Sequence, residues 1–161
     1  MLCAMRDIST DDVIAVHRTF LNCNDGKDGP PMMLGPSFET AVKLTPHRAV
    51  FDAKRHFASL LHVCEGIETG IGALMLGFTP VWALGTAGAI ERFEPMLSVG
   101  ELLVLADHDR EVGLHHPFRP GIKAATACVR TWRAAGWRAR WIAPTIEGEV
   151  YADVARREVG V

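Results

Sequence analysis

The sequence predicts an α/β fold: a parallel sheet flanked by helices, with a small N-terminal β-rich appendage. Three observations predict it. From Leu60 onward, short apolar runs alternate with helix-like segments, and strands that are apolar throughout belong to a parallel sheet covered on both faces. Before that point the chain is rich in turn residues, and its apolar stretches are brief. Finally, 161 residues at 48% hydrophobic and 22% charged suit one well-packed domain and are too few for two large ones.

The elements follow in order. "MLCAMRD" and "VIAVHRTFL" read as strands joined by the polar turn "ISTDD". "NCNDGKDGPPMMLGP" is a turn-rich excursion, "TAVKLT" a further strand, and "RAVFDAKRHFASL" a helix of mixed polarity. These make up an N-terminal β-rich segment over residues 1–58. The α/β unit occupies 59–161. In it "LLHVCEG" is a strand, "IETGIGALMLG" a helix ended by Gly77, and "TPVWALG" a strand. "TAGAIERFEPML" is a helix that Pro95 keeps short. "ELLVLAD" is the most apolar strand, "GIKAATACVRTWRAAG" a helix closed by Gly136, "RARWIAP" the last strand and "EGEVYADVARREV" a final helix. No internal repeat or low-complexity tract is visible.

Bulk properties exclude several classes. No apolar run approaches the roughly 18–20 residues of a membrane span, and mean hydropathy is only +0.12. "MLCAMRDIST" lacks the basic flank and apolar stretch of a signal peptide, so the expected location is the cytoplasm. Cys3, Cys23, Cys64 and Cys128 are scattered without a CxxC pair, which predicts reduced thiols and excludes a zinc knuckle. A net charge of −2 does not announce a nucleic-acid binder. Its distribution is uneven, however: "RTWRAAGWRARW" holds four arginines and three tryptophans without an acid. Such a stretch either grips phosphates and stacks on bases, with Arg133 and Arg138 as the contacts, or is an amphipathic helix leading into a half-buried strand.

Two apolar strands end in carboxylates. Glu65 closes "LLHVCEG", and Asp107 and Asp109 close "ELLVLADHD". In open α/β sheets, ligands bind outside the carboxyl ends of strands. Spacing of two on an extended chain puts both aspartates on one side and points His108 away. Three oxygen ligands at one edge suit a hard cation such as Mg²⁺, and Gly66 would permit a sharp turn and close substrate approach. The plainer alternative is that these acids cap helix N-termini and complement their dipoles.

Taken together, "VCEGIETGIGAL", "PVWALGTAGAIERF", "LLVLADHD" and "GIKAATACVRTWRAAGWRARWIAP" resemble the Toprim domain of bacterial-type primases and topoisomerases. The resemblance spans roughly Ala15 to Asp153 and is nearest to Toprim proteins of phages and plasmids whose motif reads EGIET. It implies a Toprim-like fold and the following roles. Glu65 matches the family's general acid/base and a metal ligand, while Asp107 and Asp109 match the aspartates that hold Mg²⁺ or Mn²⁺. Glu68 matches the second glutamate of EGIET, although a first-turn helix acid needs no catalytic role.

The chain also departs from the family pattern. "REVGLHHPFRP" intervenes before "GIKAA", bringing His115 and His116 towards the metal edge. The downstream lysine-aspartate pair is lost, and Asp153 alone fits a third acidic position. The implied activity is primase-like nucleotidyl transfer on a single-stranded DNA template with nucleoside triphosphates. The alternatives are a Toprim nuclease or a catalytically degenerate binding protein. The sequence holds no zinc module, helicase motor or GxxxxGK[ST] loop, so strand opening and template capture are expected from partners, such as a helicase or zinc-binding module on another chain, or from lost regions.

Overall fold

The computed structural model describes residues 1–22, 26–27, 29–46, 59–110 and 120–160. Six strands come first: β1 (Leu2–Asp7), β2 (Val13–Arg18), the two-residue β3 (Leu21–Asn22) and β4 (Gly26–Lys27), β5 (Met32–Leu34) and β6 (Thr40–Lys43). The alternating half follows: β7 (Ser59–Cys64), α1 (Ile67–Met75), β8 (Val81–Ala83), α2 (Ala87–Glu91), β9 (Val99–Leu105), α3 (Pro120–Ala134), β10 (Arg138–Ile142) and α4 (Tyr151–Val159). The helix expected over "RAVFDAKRHFASL" lies outside the described residues, save for its last two positions, which open β7.

Eight strands form one sheet in the order β10-β9-β7-β8-β6-β1-β2-β5. The first four are parallel, and β6 joins β8 antiparallel. The remaining strands continue antiparallel. The N-terminal segment therefore extends the same hydrogen-bonded layer, and the expected boundary near residue 58 falls outside the described residues.

Each face of the parallel half buries its own core. One face packs Leu61, Val63, Leu102 and Val104 beneath α2 and α3; the other packs Cys64, Leu103 and Leu105 with α1 and the start of α4. Because β7 and β9 are covered on both faces, their runs are nearly continuously apolar rather than alternating; the buried exception in β7, His62, donates its Nδ1–H to the Pro80 carbonyl at 2.9 Å. On α3, Gly121, Ala124, Ala125, Cys128, Val129 and Trp132 are buried, the spacing of one helical face. The helix α2 ends at Glu91, ahead of Pro95. Gly72 on α1 lies so close to α4 that an added Cβ would sit 2.5 Å from the Tyr151 carbonyl oxygen. Among the described residues, no helix is long and apolar enough to cross a membrane.

Candidate active site

Parallel register brings the acidic strand ends together. Cys64 of β7 is the partner of Leu105 of β9, so Glu65 lies level with Ala106, and Asp107 is one residue beyond. Two of the carboxylates are then fixed by helix starts, and Glu65 is held through its backbone. The Gly85 N–H, just ahead of α2, donates to the Glu65 carbonyl at 2.9 Å, and the Ala87 N–H, first residue of α2, favours the ionised Glu65. The Thr69 hydroxyl, in the first turn of α1, donates to Asp107 Oδ1 at 3.0 Å. At the start of α3, the Gly121 N–H donates to Asp109 Oδ2 at 2.8 Å. His108 turns away, donating its Nδ1–H to the Pro144 carbonyl at 2.8 Å, as the two-residue spacing anticipates.

Burial and mutual repulsion set the charge of this edge. Burial, then the negative charges of Glu65, Asp109 and Asp153, push Asp107 up to about 6 against the opposing Thr69 bond. Burial and then the Asp109 charge also raise Glu65, although the Ala87 N–H favours its ionised form. Partly dehydrated carboxylates that repel one another are stabilised by a cation between them. The all-oxygen donor set fits a hard divalent ion. Among the described residues, no three His, Cys, Asp or Glu side chains are drawn together closely enough to hold a metal by themselves. Glu65, Asp107 and Asp109 thus share one edge without forming a closed cage. Mg²⁺ usually keeps several waters, so carboxylates that share an edge without closing a cage still fit it.

The other sequence-derived candidates have varied placements. Glu68 is in the first turn of α1 and adds to the negative field around Cys3 and Cys64. Asp153 lies near enough to act on Asp107, but its carboxylate accepts the Val150 N–H at 3.0 Å and pairs with Arg156 at 2.6 Å. It serves α4 first. Arg133 and Arg138 flank the turn from α3 into β10, at the amino end of the strands and away from the carboxylates. There Arg133 Nε donates to the Ala139 carbonyl at 2.7 Å, and the largely exposed Arg138 pairs with Glu101 at 3.5 Å. Trp132 is fully buried, stacked on Phe93 and donating to its carbonyl, so it belongs to the core. His115, His116 and Cys23 lie outside the described residues.

The turn at Gly66 does not require a glycine. Its backbone is ordinary extended chain (φ −90°, ψ 151°), and the atoms nearest an added Cβ are 3.6 Å away. Gly121 is the demanding glycine instead: its Cβ would meet the Asp107 carbonyl oxygen at 2.8 Å and Asp109 Oδ2 at 3.0 Å. Sequence reasoning missed both Gly121 and Thr69. Their only sequence signal is position, since each falls in the first turn of a helix that follows a strand of the sheet.

A family model described as Toprim domain matches residues 60–159. This chain belongs to the Toprim family. The matched span contains the whole acidic edge of this Toprim chain, from Glu65 to Asp153. No curated protein matches the sequence. In three dimensions the chain is similar to a DNA primase domain from Pseudomonas aeruginosa, with a TM-score of 0.62 at 20% identity over 98% of this chain and 46% of that one. It is also similar to the RNA polymerase domain of Mycobacterium tuberculosis primase DnaG, with a TM-score of 0.58 at 17% identity over 99% and 51%. A third match is a DnaG primase catalytic domain bound to ssDNA, with a TM-score of 0.61 at 18% identity over 98% and 48%. The Toprim chain spans about half the length of these structures. At such identities the likeness concerns the fold, and it extends through the N-terminal strands as well as the Toprim core.

Proposed function

We propose that this Toprim chain carries out divalent-metal-dependent nucleotidyl transfer on nucleic acid, in the manner of a primase extending RNA on a single-stranded DNA template. One observation carries the proposal: Glu65 and the Asp107–Asp109 pair stand side by side at the carboxyl ends of neighbouring parallel strands, partly buried and mutually repelling. Asp107 and Asp109 would hold the ion, with Thr69 and Gly121 fixing their orientation. The ion supplies neutralisation of phosphate charge and alignment of an in-line displacement. Glu65, raised by burial and by Asp109, is suited to accept a proton from the attacking hydroxyl and return it to the leaving oxygen. The nucleic acid would lie along the carboxyl edge. A helicase or a zinc-binding module would supply strand opening and template capture.

The decisive experiment incubates the protein with Mg²⁺ or Mn²⁺, nucleoside triphosphates and single-stranded DNA. It follows both triphosphate incorporation and strand scission. Incorporation lost in Glu65→Gln supports the proposal. Scission without incorporation replaces it with a Toprim nuclease, which uses the same carboxylates with water as attacking group. If neither activity appears, a binding protein that keeps only the fold is the remaining reading. Engagement of Asp153 by its own helix and by Arg156 specifically favours that last case.

A further inference from the structure

We propose that the cavity between α2 and the N-terminal strands is a nucleobase pocket, serving a nucleotide whose phosphates lie at the carboxylate edge. The placement of the phosphates rests on the transfer reading above; the pocket stands on its own geometry. Its volume is about 200 Å³, below the roughly 300–1,000 Å³ of typical small-molecule sites. It therefore suits one planar ring system rather than a whole nucleotide.

The lining has the character of a base site. Ile8, Leu84, Phe93 and Met96 supply apolar surface, and Phe38, 63% exposed, offers an aromatic face at the rim, where stacking is tolerant of base identity. Glu39 and Glu94 also line it, with Asp7, whose Oδ1 already accepts the Ser9 and Thr10 N–H groups at 2.8 and 2.7 Å, and Arg92 is the one cation among the described lining residues. A lining in which the Glu39 and Glu94 carboxylates outnumber the Arg92 guanidinium disfavours a phosphate and welcomes the amino and imino N–H donors of a heterocycle. The chemistry thus separates the two halves of a nucleotide, with phosphates towards a metal-binding edge and the base towards this pocket.

The fold ties the pocket to Glu65. Leu84 lines it, and the next residue, Gly85, donates its N–H to the Glu65 carbonyl. The Ala87 N–H favours the ionised Glu65, and Ala89, less than a turn on, lines the pocket. The opposite wall is fixed by a buried lysine. Lys43 Nζ donates to the Asp7 and Ile8 carbonyls at 2.8 and 3.1 Å and pairs with Asp11 at 3.1 Å, so the wall is rigid before a ligand arrives.

The base can come from a free nucleotide or from a strand, and the test separates these sources. Methyl-labelled protein is titrated, without metal, with the common nucleosides, with a short single-stranded DNA, and with a sugar–phosphate oligomer lacking bases. The Ile8, Leu84, Ala89 and Met96 methyls are followed by NMR. Millimolar nucleosides should move these methyls, and the base-free oligomer should not. Movement by the DNA as well assigns the pocket to strand bases; movement by nucleosides alone assigns it to the free nucleotide. Phe38→Ala, a surface change, should weaken the response roughly tenfold, and Ala89→Trp should abolish it by filling the cavity. Methyls unmoved by every base-bearing probe, or moved equally by the base-free oligomer, overturn the pocket. None of these readouts needs turnover. An active enzyme with silent methyls refutes the pocket alone, and an inactive protein with responding methyls refutes only the transfer reading.

Discussion

The Thr69 hydroxyl and the Asp107 carboxylate are joined by a 3.0 Å hydrogen bond that fastens the first turn of α1 to the loop after β9. This bond favours the ionised carboxylate, while burial and the neighbouring acids favour the protonated one. The state of Asp107 is a balance between them.

Thr69→Val should tip that balance. A hydrogen bond to a charged group is worth about 1.5 kcal/mol, or about one pKa unit, so Asp107 should rise further above its present value of about 6. Calorimetric Mg²⁺ titrations across the weakly acidic range should show binding lost at a pH about one unit higher than in wild type, with Thr69→Ser restoring it. An unchanged pH profile would separate Asp107 from metal binding.

Asp107 should also make the metal-free protein less stable at neutral pH. Its folded value of about 6 stands above the ordinary 3.8, so the folded state holds the proton more tightly. The contribution is fully present below the unfolded value and is lost as pH rises from about 4 through about 6, on the order of 2–3 kcal/mol. In chelator, Asp107→Asn should therefore be more stable than wild type near pH 7.5 and nearly equal to it near pH 3.5. Urea unfolding at the two pH values measures this, and the same difference at both would refute it.

Metal binding and proton transfer should separate by residue. Asp107→Asn combined with Asp109→Asn should lower Mg²⁺ affinity and remove metal-dependent chemistry. Glu65→Gln should retain much of the affinity and lose turnover by roughly 10²–10⁴-fold, the range of a general acid–base contribution. Calorimetry beside the incorporation and scission assays distinguishes them. Equal loss of metal affinity in Glu65→Gln would make Glu65 a ligand rather than a base.

The two glycines of this edge should differ in the opposite sense from their sequence prominence. Gly121→Ala forces a methyl against the Asp107 backbone and the Asp109 carboxylate; overpacking of this kind costs about 1–3 kcal/mol and should weaken Mg²⁺ binding. Gly66→Ala meets only ordinary contacts and should leave thermal stability within about 0.5 kcal/mol of wild type. Thermal unfolding and metal titration of both variants test the contrast.

The sequence by itself determined the strands and helices of the alternating half, because continuous apolar runs and one-sided helical spacing each have a single way to be buried in a parallel layer. It also fixed Glu65, Asp107 and Asp109 as strand-end acids, since only a polar residue stops such a run at a solvent edge. Tertiary structure decided what surrounds them. The Thr69 and Gly121 donors come from two helices that meet this edge only once β7 and β9 lie side by side, and local sequence does not encode that meeting. The same holds for Arg133 and Arg138, conspicuous in the chain yet carried to the opposite end of the strands by the direction of β10. The cavity beside α2 exists only where β6, antiparallel to β8, brings the N-terminal loops against that helix. Chemistry at a site depends on which distant groups share a few ångströms, and strand order sets that.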